Sequence, residues 1–122
     1  MNVVISQSML FPWVGILEQI RLADIFVHYD DVQFSKGSFT NRVQIKTAQG
    51  SRWMTVPLEK HRTGQTIEEV QIKPKDFWVA KHVEMIQRSF KGTPFLQDAL
   101  AVVDSVYAQK FDSLAMLARE ST

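Results

Sequence analysis

Ser6, Gln7 and Ser8 stand between a β-branched run, Val3 to Ile5, and the apolar block Phe11-Pro12-Trp13, and a second β-branched and aromatic run ends on the pair Asp30-Asp31. Two hydroxyls and an amide can bind the hydroxyl or amine groups of a small molecule, and a carboxylate beside them can bind a cation, orient a sugar hydroxyl or act as a base. They can do this together only if the ends of the two runs lie side by side. A strand followed by a helix needs no more than a short turn, so three polar residues in a row read as the floor of a site. The alternative is that Ser8 merely caps the turn ahead of Pro12.

Neighbouring positions add candidates. Adjacent residues at a strand end point in different directions, so at most one of Asp30 and Asp31 enters the cleft while the other caps a turn; Asp31 is taken as the catalytic carboxylate. Gln33, Ser35 and Lys36 follow closely enough to line the same loop, and Trp13 stands at the helix entry. Asn41 falls on the apolar side of its run, where its amide must be hydrogen-bonded, and Arg42, on the other side, offers a planar fork to a carboxylate or phosphate. His82 lies beside an apolar stripe with Trp78 one turn earlier; it is either a proton acceptor or a satisfied structural histidine. No second carboxylate sits at a metal spacing, and three scattered histidines with no cysteine do not make a zinc site. No cofactor is therefore required, and a divalent cation is left open. GxxxxGK[ST], GxGxxG and GxSxG are absent.

The elements that must position these residues follow from periodicity. Val3 to Ser6 reads as a strand. Pro12 suits the first helical position, and Trp13, Ile16, Leu17 and Ile20 form one helical face. Ile25 to Tyr29 is the next strand. Strand, helix and strand in this span make a parallel βαβ unit with a right-handed crossover. Its carboxyl edge, where open α/β sheets bind ligands, then carries Ser6, Gln7, Ser8, Asp30 and Asp31 together with the helix start.

From Phe39 the period becomes two: Phe39, Asn41, Val43 and Ile45 share one face. Trp53 to Leu58 is a second extended run, and Ala48-Gln49-Gly50 between them predicts an antiparallel hairpin inserted after the βαβ unit. Val70 and Ile72 suggest one more strand. Beyond Pro74 the chain reads as helical: a helix capped by Asp76 with Val79, Val83, Ile86 and Phe90 as its stripe and Gly92 as its stop, a second opened by Thr93-Pro94, and a short third from Phe111 to Arg119. The expected fold class is α/β with an α+β insertion, in one domain spanning 1–122.

Composition narrows the class of function. The chain has 122 residues, a formal net charge of +1 and no cysteine. No disulfide framework is available, and no apolar run approaches the roughly 18 residues of a membrane span. The N-terminus lacks the basic flank of a signal peptide, so the expectation is a cytoplasmic protein. Lys36, Arg42, Lys46, Arg52, Lys60 and Arg62 face a single acid, Glu59, in the middle of the chain. This is a solvated face or an anion-binding one; the balanced overall charge ranks nucleic-acid binding last.

Ser6-Gln7 through Phe11-Pro12-Trp13-Val14-Gly15, Ala23-Asp24-Ile25-Phe26-Val27, Asp30-Asp31-Val32-Gln33-Phe34-Ser35-Lys36, Asn41-Arg42, Ile45-Lys46 and Trp53-Met54-Thr55-Val56-Pro57 resemble the WbqC-like protein family. Trp78, Lys81-His82 and Gly92-Thr93-Pro94-Phe95 resemble its next segment. The resemblance implies a bacterial protein associated with O-antigen or other surface polysaccharides, with a largely unassigned activity directed at amino sugars, such as acyl or aminoacyl transfer. It singles out Gln7, Asp31, Gln33, Asn41, Arg42 and His82 without agreed roles. Members typically carry a His-Gln-Pro sequence where this chain has Ser6-Gln7-Ser8, and they are usually much longer.

Two functions of different kinds follow. In the first the protein is a transferase: Ser6, Gln7, Trp13, Asp30, Gln33, Ser35, Asn41 and Arg42 bind a small-molecule substrate such as a sugar nucleotide, with Asp31 and His82 catalytic. In the second it is a non-catalytic binding or accessory module. In both, a short sheet with open edges predicts a homo-oligomer.

Overall fold

A computed structural model describes Met1–Thr122. Its elements are β1 (Val3–Ser6), α1 (Val14–Leu22), β2 (Ile25–His28), β3 (Arg42–Thr47), β4 (Gly50–Thr55), α2 (Val79–Ser89), α3 (Leu96–Tyr107) and α4 (Leu114–Glu120), with a short 3-10 turn at Lys75–Phe77. The class is α/β. The strands form two separate pairs: β1 and β2 run parallel, with Val3 opposite Ile25 and Ser6 opposite His28, and β3 and β4 form the antiparallel hairpin.

The βαβ unit forms as its pattern demands, but its helix starts later than the proline suggests. Pro12 is buried and precedes the helix, Trp13 takes the capping position in an extended conformation with no side-chain cap, and the first helical residue is Val14. Ile16 and Ile20 are half-buried, while Trp13 and Leu17 on the expected face are exposed, so α1 contains no buried residue. Val3, Ile5, Ile25 and Val27 stay exposed on the strands.

The hairpin differs at its entry. Phe39, Thr40 and Asn41 lie in turns and a bend, and the ladder begins at Arg42. Its tip is the two-residue turn Ala48-Gln49, which needs the left-handed φ of +97° that Gly50 supplies. The strand expected at Val70 and Ile72 reduces to isolated bridges. Leu58 pairs with Ile72 on one side and Gln71 with Ser113 on the other, because the turn at Thr66–Val70 leaves too few extended residues for a ladder.

The C-terminal half is helical as the period implies, with different starts. Asp76 lies within the 3-10 turn and caps nothing; Trp78 precedes α2 and Phe95 precedes α3, neither with a side-chain cap. Thr93 Oγ1 instead donates backward to the Phe90 carbonyl at 2.7 Å. Only α4 has a side-chain cap: Ser113 Oγ accepts from Met116 N at 3.2 Å. One apolar core joins Leu10 and Phe34 to Met54 and Val56 of the hairpin region, Ile67, Val70, Ile72, Trp78, Ile86, and the inward faces of α3 and α4. No helix is long and apolar enough to cross a membrane.

Candidate functional site

The parallel register puts the ends of β1 and β2 side by side, and a cleft of about 590 Å³ opens there. Ser6, Gln7 and Ser8 line one wall with Ile5 and Met9, and Tyr29 closes the strand end. The opposite wall is Gly37, Ser38, Phe39 and Thr40, the turn that enters the hairpin. Leu10 N donates to the Phe39 carbonyl at 3.0 Å, which ties the two walls together. Five hydroxyl-bearing residues (Ser6, Ser8, Tyr29, Ser38, Thr40), one amide and two exposed aromatic rings line this space, and no charged side chain does.

Below Ser8 lies a buried polar cluster. Ser8 N donates to Asp30 Oδ1 at 2.9 Å, Ser8 Oγ donates to Asp30 Oδ2 at 2.6 Å, and Arg119 Nε donates to the same Oδ2 at 2.9 Å. Ser8 Oγ is also 2.9 Å from His28 Nδ1. Arg119 pairs on its other side with Glu68. Asp30 is 1% exposed, so each of these donors answers a lone pair that would otherwise be stranded. Burial lowers the His28 pKa, and the Arg119 charge works in the same direction against the pull of Asp30. The backbone builds this cluster: Asp30 to Phe34 runs antiparallel to Gln65 to Glu68, with Glu68 N on the Asp30 carbonyl and Phe34 N on the Gln65 carbonyl.

Of the residues singled out from sequence, Ser6 and Gln7 line the cleft and Asp30 supports it from beneath. Asp30, rather than Asp31, turns inward; Asp31 is exposed. Arg42 stands behind the second wall. Its Nη2 donates to the Gly37 carbonyl at 2.6 Å, and its guanidinium carbon lies 3.8 Å over the Trp53 ring, which in turn packs against Phe39. Asn41 is buried and donates to the Val56 carbonyl at 3.2 Å, leaving Oδ1 without a partner. Gln33 is exposed and bridges Thr66 through the backbone; Ser35 and Trp13 are exposed and do not line the cleft.

His82 is elsewhere, and its chemistry is already committed. Nε2 must donate to the Thr55 carbonyl, 2.8 Å away, because a carbonyl only accepts; Nδ1 therefore accepts from the Tyr107 hydroxyl at 2.8 Å. Trp78 and Tyr107 enclose the ring. Burial pushes the His82 pKa down and the Tyr107 pKa up, which preserves this pattern of donors. The expectation of a proton acceptor thus meets a ring with no nitrogen left for a substrate, the state of a satisfied core histidine.

The cleft also recruits residues the sequence did not single out. Ser38, Phe39 and Thr40 come from the hairpin entry and Tyr29 from the end of β2; His28, which pairs with Ser6 in the register, stands behind Ser8 and is not part of the lining. Arg119 is 89 residues from Asp30 and carries no local signal at all. No group of three His, Asp or Glu side chains converges as a metal site requires.

Comparison with known proteins places these features in a family context. The family model described as "WbqC-like protein family" matches residues 7–122. An uncharacterized protein of Mycobacterium tuberculosis is 33% identical over 110 residues, covering 89% of this chain and 47% of that protein. The chain thus spans about half the length of the curated relative it matches. No solved structure matches it.

Proposed function

We propose, from the premise that this chain belongs to the WbqC-like protein family, that the cleft at the ends of β1 and β2 binds a sugar and that the protein serves the biosynthesis of bacterial surface polysaccharide. The observation that carries this reading is the lining. Hydroxyls and an amide match the donor and acceptor pattern of a sugar's hydroxyl groups, and Tyr29 and Phe39 offer apolar faces to its C–H groups. The reaction class is acyl or aminoacyl transfer to an amino sugar or sugar nucleotide in the cytoplasm, as the family resemblance implies. Ser6 and Gln7 hold the ring. Asp31 remains the exposed carboxylate offered to an amine, and His82 supports the fold beneath the hairpin.

A second reading, a non-catalytic binding module acting as an oligomer, is favoured by one observation: both His82 nitrogens are engaged. Two copies of the chain are the proposed assembly. The accessible surface is 8020 Å², whereas the scaling law for a monomer of 14.0 kDa gives about 6,700 Å². The surplus exceeds the roughly 800 Å² per partner of a standard interface.

Thermal unfolding with UDP-, dTDP- and GDP-sugars, then with acyl and aminoacyl donors, tests both readings. A ligand at about 100 times its dissociation constant adds roughly 2.7 kcal/mol of stability. A shift with one sugar nucleotide that vanishes in Gln7→Ala supports the cleft, and turnover with a donor then separates transferase from module. No shift with any sugar refutes the cleft reading. Binding to nucleic acid that weakens steeply with salt would favour the basic hairpin instead.

A further inference from the structure

The cluster of Ser8, His28, Asp30 and Arg119 allows its hydrogens to be counted. A serine hydroxyl has one proton to give. The Asp30 carboxylate only accepts, Arg119 Nε already donates to its Oδ2, and Ser8 Oγ stands 2.6 Å from that same oxygen, so the serine proton lies on that line. Ser8 Oγ can then only accept from His28 Nδ1 at 2.9 Å, and Nδ1 must carry the ring hydrogen. A neutral imidazole carries one such hydrogen, which leaves Nε2 as a lone pair.

We propose that His28 is the proton acceptor of the cleft, held as its Nδ1–H tautomer by the chain His28 Nδ1–H to Ser8 Oγ–H to Asp30. This rests on the reading that the cleft binds an amino sugar. In the step, the N–H bond of a sugar ammonium breaks, its proton passes to His28 Nε2, and the amine keeps the electron pair as a nucleophile. The imidazolium that results is stabilised through Ser8 by the Asp30 carboxylate, the role a buried carboxylate plays behind a catalytic histidine, here with a serine between them.

The surroundings fit that role. His28 is half-buried at the end of β2; its own ring is not part of the lining, but it pairs with Ser6 and stands 2.9 Å from Ser8 Oγ, and both of those residues line the cleft. The Phe26 ring packs edge-on against the imidazole with centroids 5.1 Å apart, which limits its rotation. The charges around it are Asp30 on the same segment, Arg119 from α4 and Glu68 on the far side of Arg119. One cation thus stands between two anions, and it is the partial burial of the ring, with the Arg119 charge, that favours the neutral form able to accept. His82 serves as an internal control, because its partners require the opposite tautomer.

The test is long-range ¹H–¹⁵N NMR of the histidine side chains at pH 7.5, with and without glucosamine. The expected spectrum has His28 with hydrogen on Nδ1 and His82 with hydrogen on Nε2. Ser8→Ala shifts His28 toward the Nε2–H form, and Ser8→Thr, which keeps the hydroxyl, restores it. Glucosamine moves the His28 Nε2 resonance and N-acetylglucosamine, which has no ammonium, does not protonate it. A wild-type His28 with hydrogen on Nε2 overturns the relay. Glucosamine that perturbs Tyr29 and Thr40 but leaves His28 unmoved overturns the acceptor role while the sugar cleft stands. Glucosamine that perturbs nothing overturns the amino-sugar reading and the acceptor role with it.

Discussion

Asp30 draws its donors from the β1–α1 loop and from the last turn of α4 while its own chain neighbours form the strand end. Truncating it strands those donors and leaves Arg119 facing Glu68 alone. Asp30→Ala should therefore cost roughly 3 kcal/mol, which lowers the unfolding temperature by on the order of 10 °C; Asp31→Ala, at an exposed position, should leave it nearly unchanged. Calorimetry of the two variants decides which aspartate is structural. His82 makes a pH prediction. Its folded pKa lies below its ordinary 6.5, so between the two values the unfolded chain binds more protons. Stability is full above about 6.5 and falls as the pH drops through that window. The loss of melting temperature from pH 7.5 to 5.5 should be smaller in His82→Gln than in the wild type. Sequence alone marks Ser6, Gln7 and the pair Asp30-Asp31 because residue type and strand-end position suffice. It cannot choose between two adjacent aspartates, since that depends on which one Ser8 and Arg119 reach.

Periodicity made the elements legible and left their ends obscure. The βαβ unit, the hairpin and the three C-terminal helices follow from spacing, but Pro12, Asp76 and Thr93, each a good local signal for a helix start, are not used as such. Buried rings decide instead: Trp78 is anchored by its indole N–H on the Lys73 carbonyl at 3.0 Å and sets the entry to α2. Tertiary packing outweighs a cap worth about 1 kcal/mol. α1 is the element with least to hold it, since it has no buried residue and its side-chain support is the exposed pair Glu18–Arg21. In hydrogen exchange its amides should be the first helical ones to lose protection, well before those of α4, which buries Leu114, Ala115, Leu117 and Ala118. Gly37 is a second sensitive point. It adopts φ +84°, and an added Cβ would stand 3.2 Å from Arg42 Nη2. Gly37→Ala should cost about 1 kcal/mol or more and loosen the Phe39 wall of the cleft, read as weaker ligand binding.

At the scale of the molecule, the two-copy assembly proposed above can be tested at Val3 and Ile25, exposed partners across β1 and β2. Sedimentation should show a mass rising toward twice 14.0 kDa with concentration, and Val3→Lys with Ile25→Lys should hold the protein at one chain; a wild type that stays monomeric refutes the assembly. This part was legible only as open sheet edges, because how much area stays uncovered depends on long-range packing. The end of α4 also reaches back to the start of the chain: Phe11 N donates to Ser121 Oγ at 2.9 Å, Ser121 Oγ in turn lies 2.8 Å from the Ala118 carbonyl and 3.3 Å from the Met9 carbonyl, and Phe11 itself sits at φ +41°. The loop that carries Ser8 is thus closed by a residue 110 positions later. A nascent chain can form β1, α1 and β2 early in translation, yet the cleft they border stays unfinished until residue 121 leaves the ribosome. Ligand capture is thereby deferred until α4 has been made and has folded back onto the β1–α1 loop.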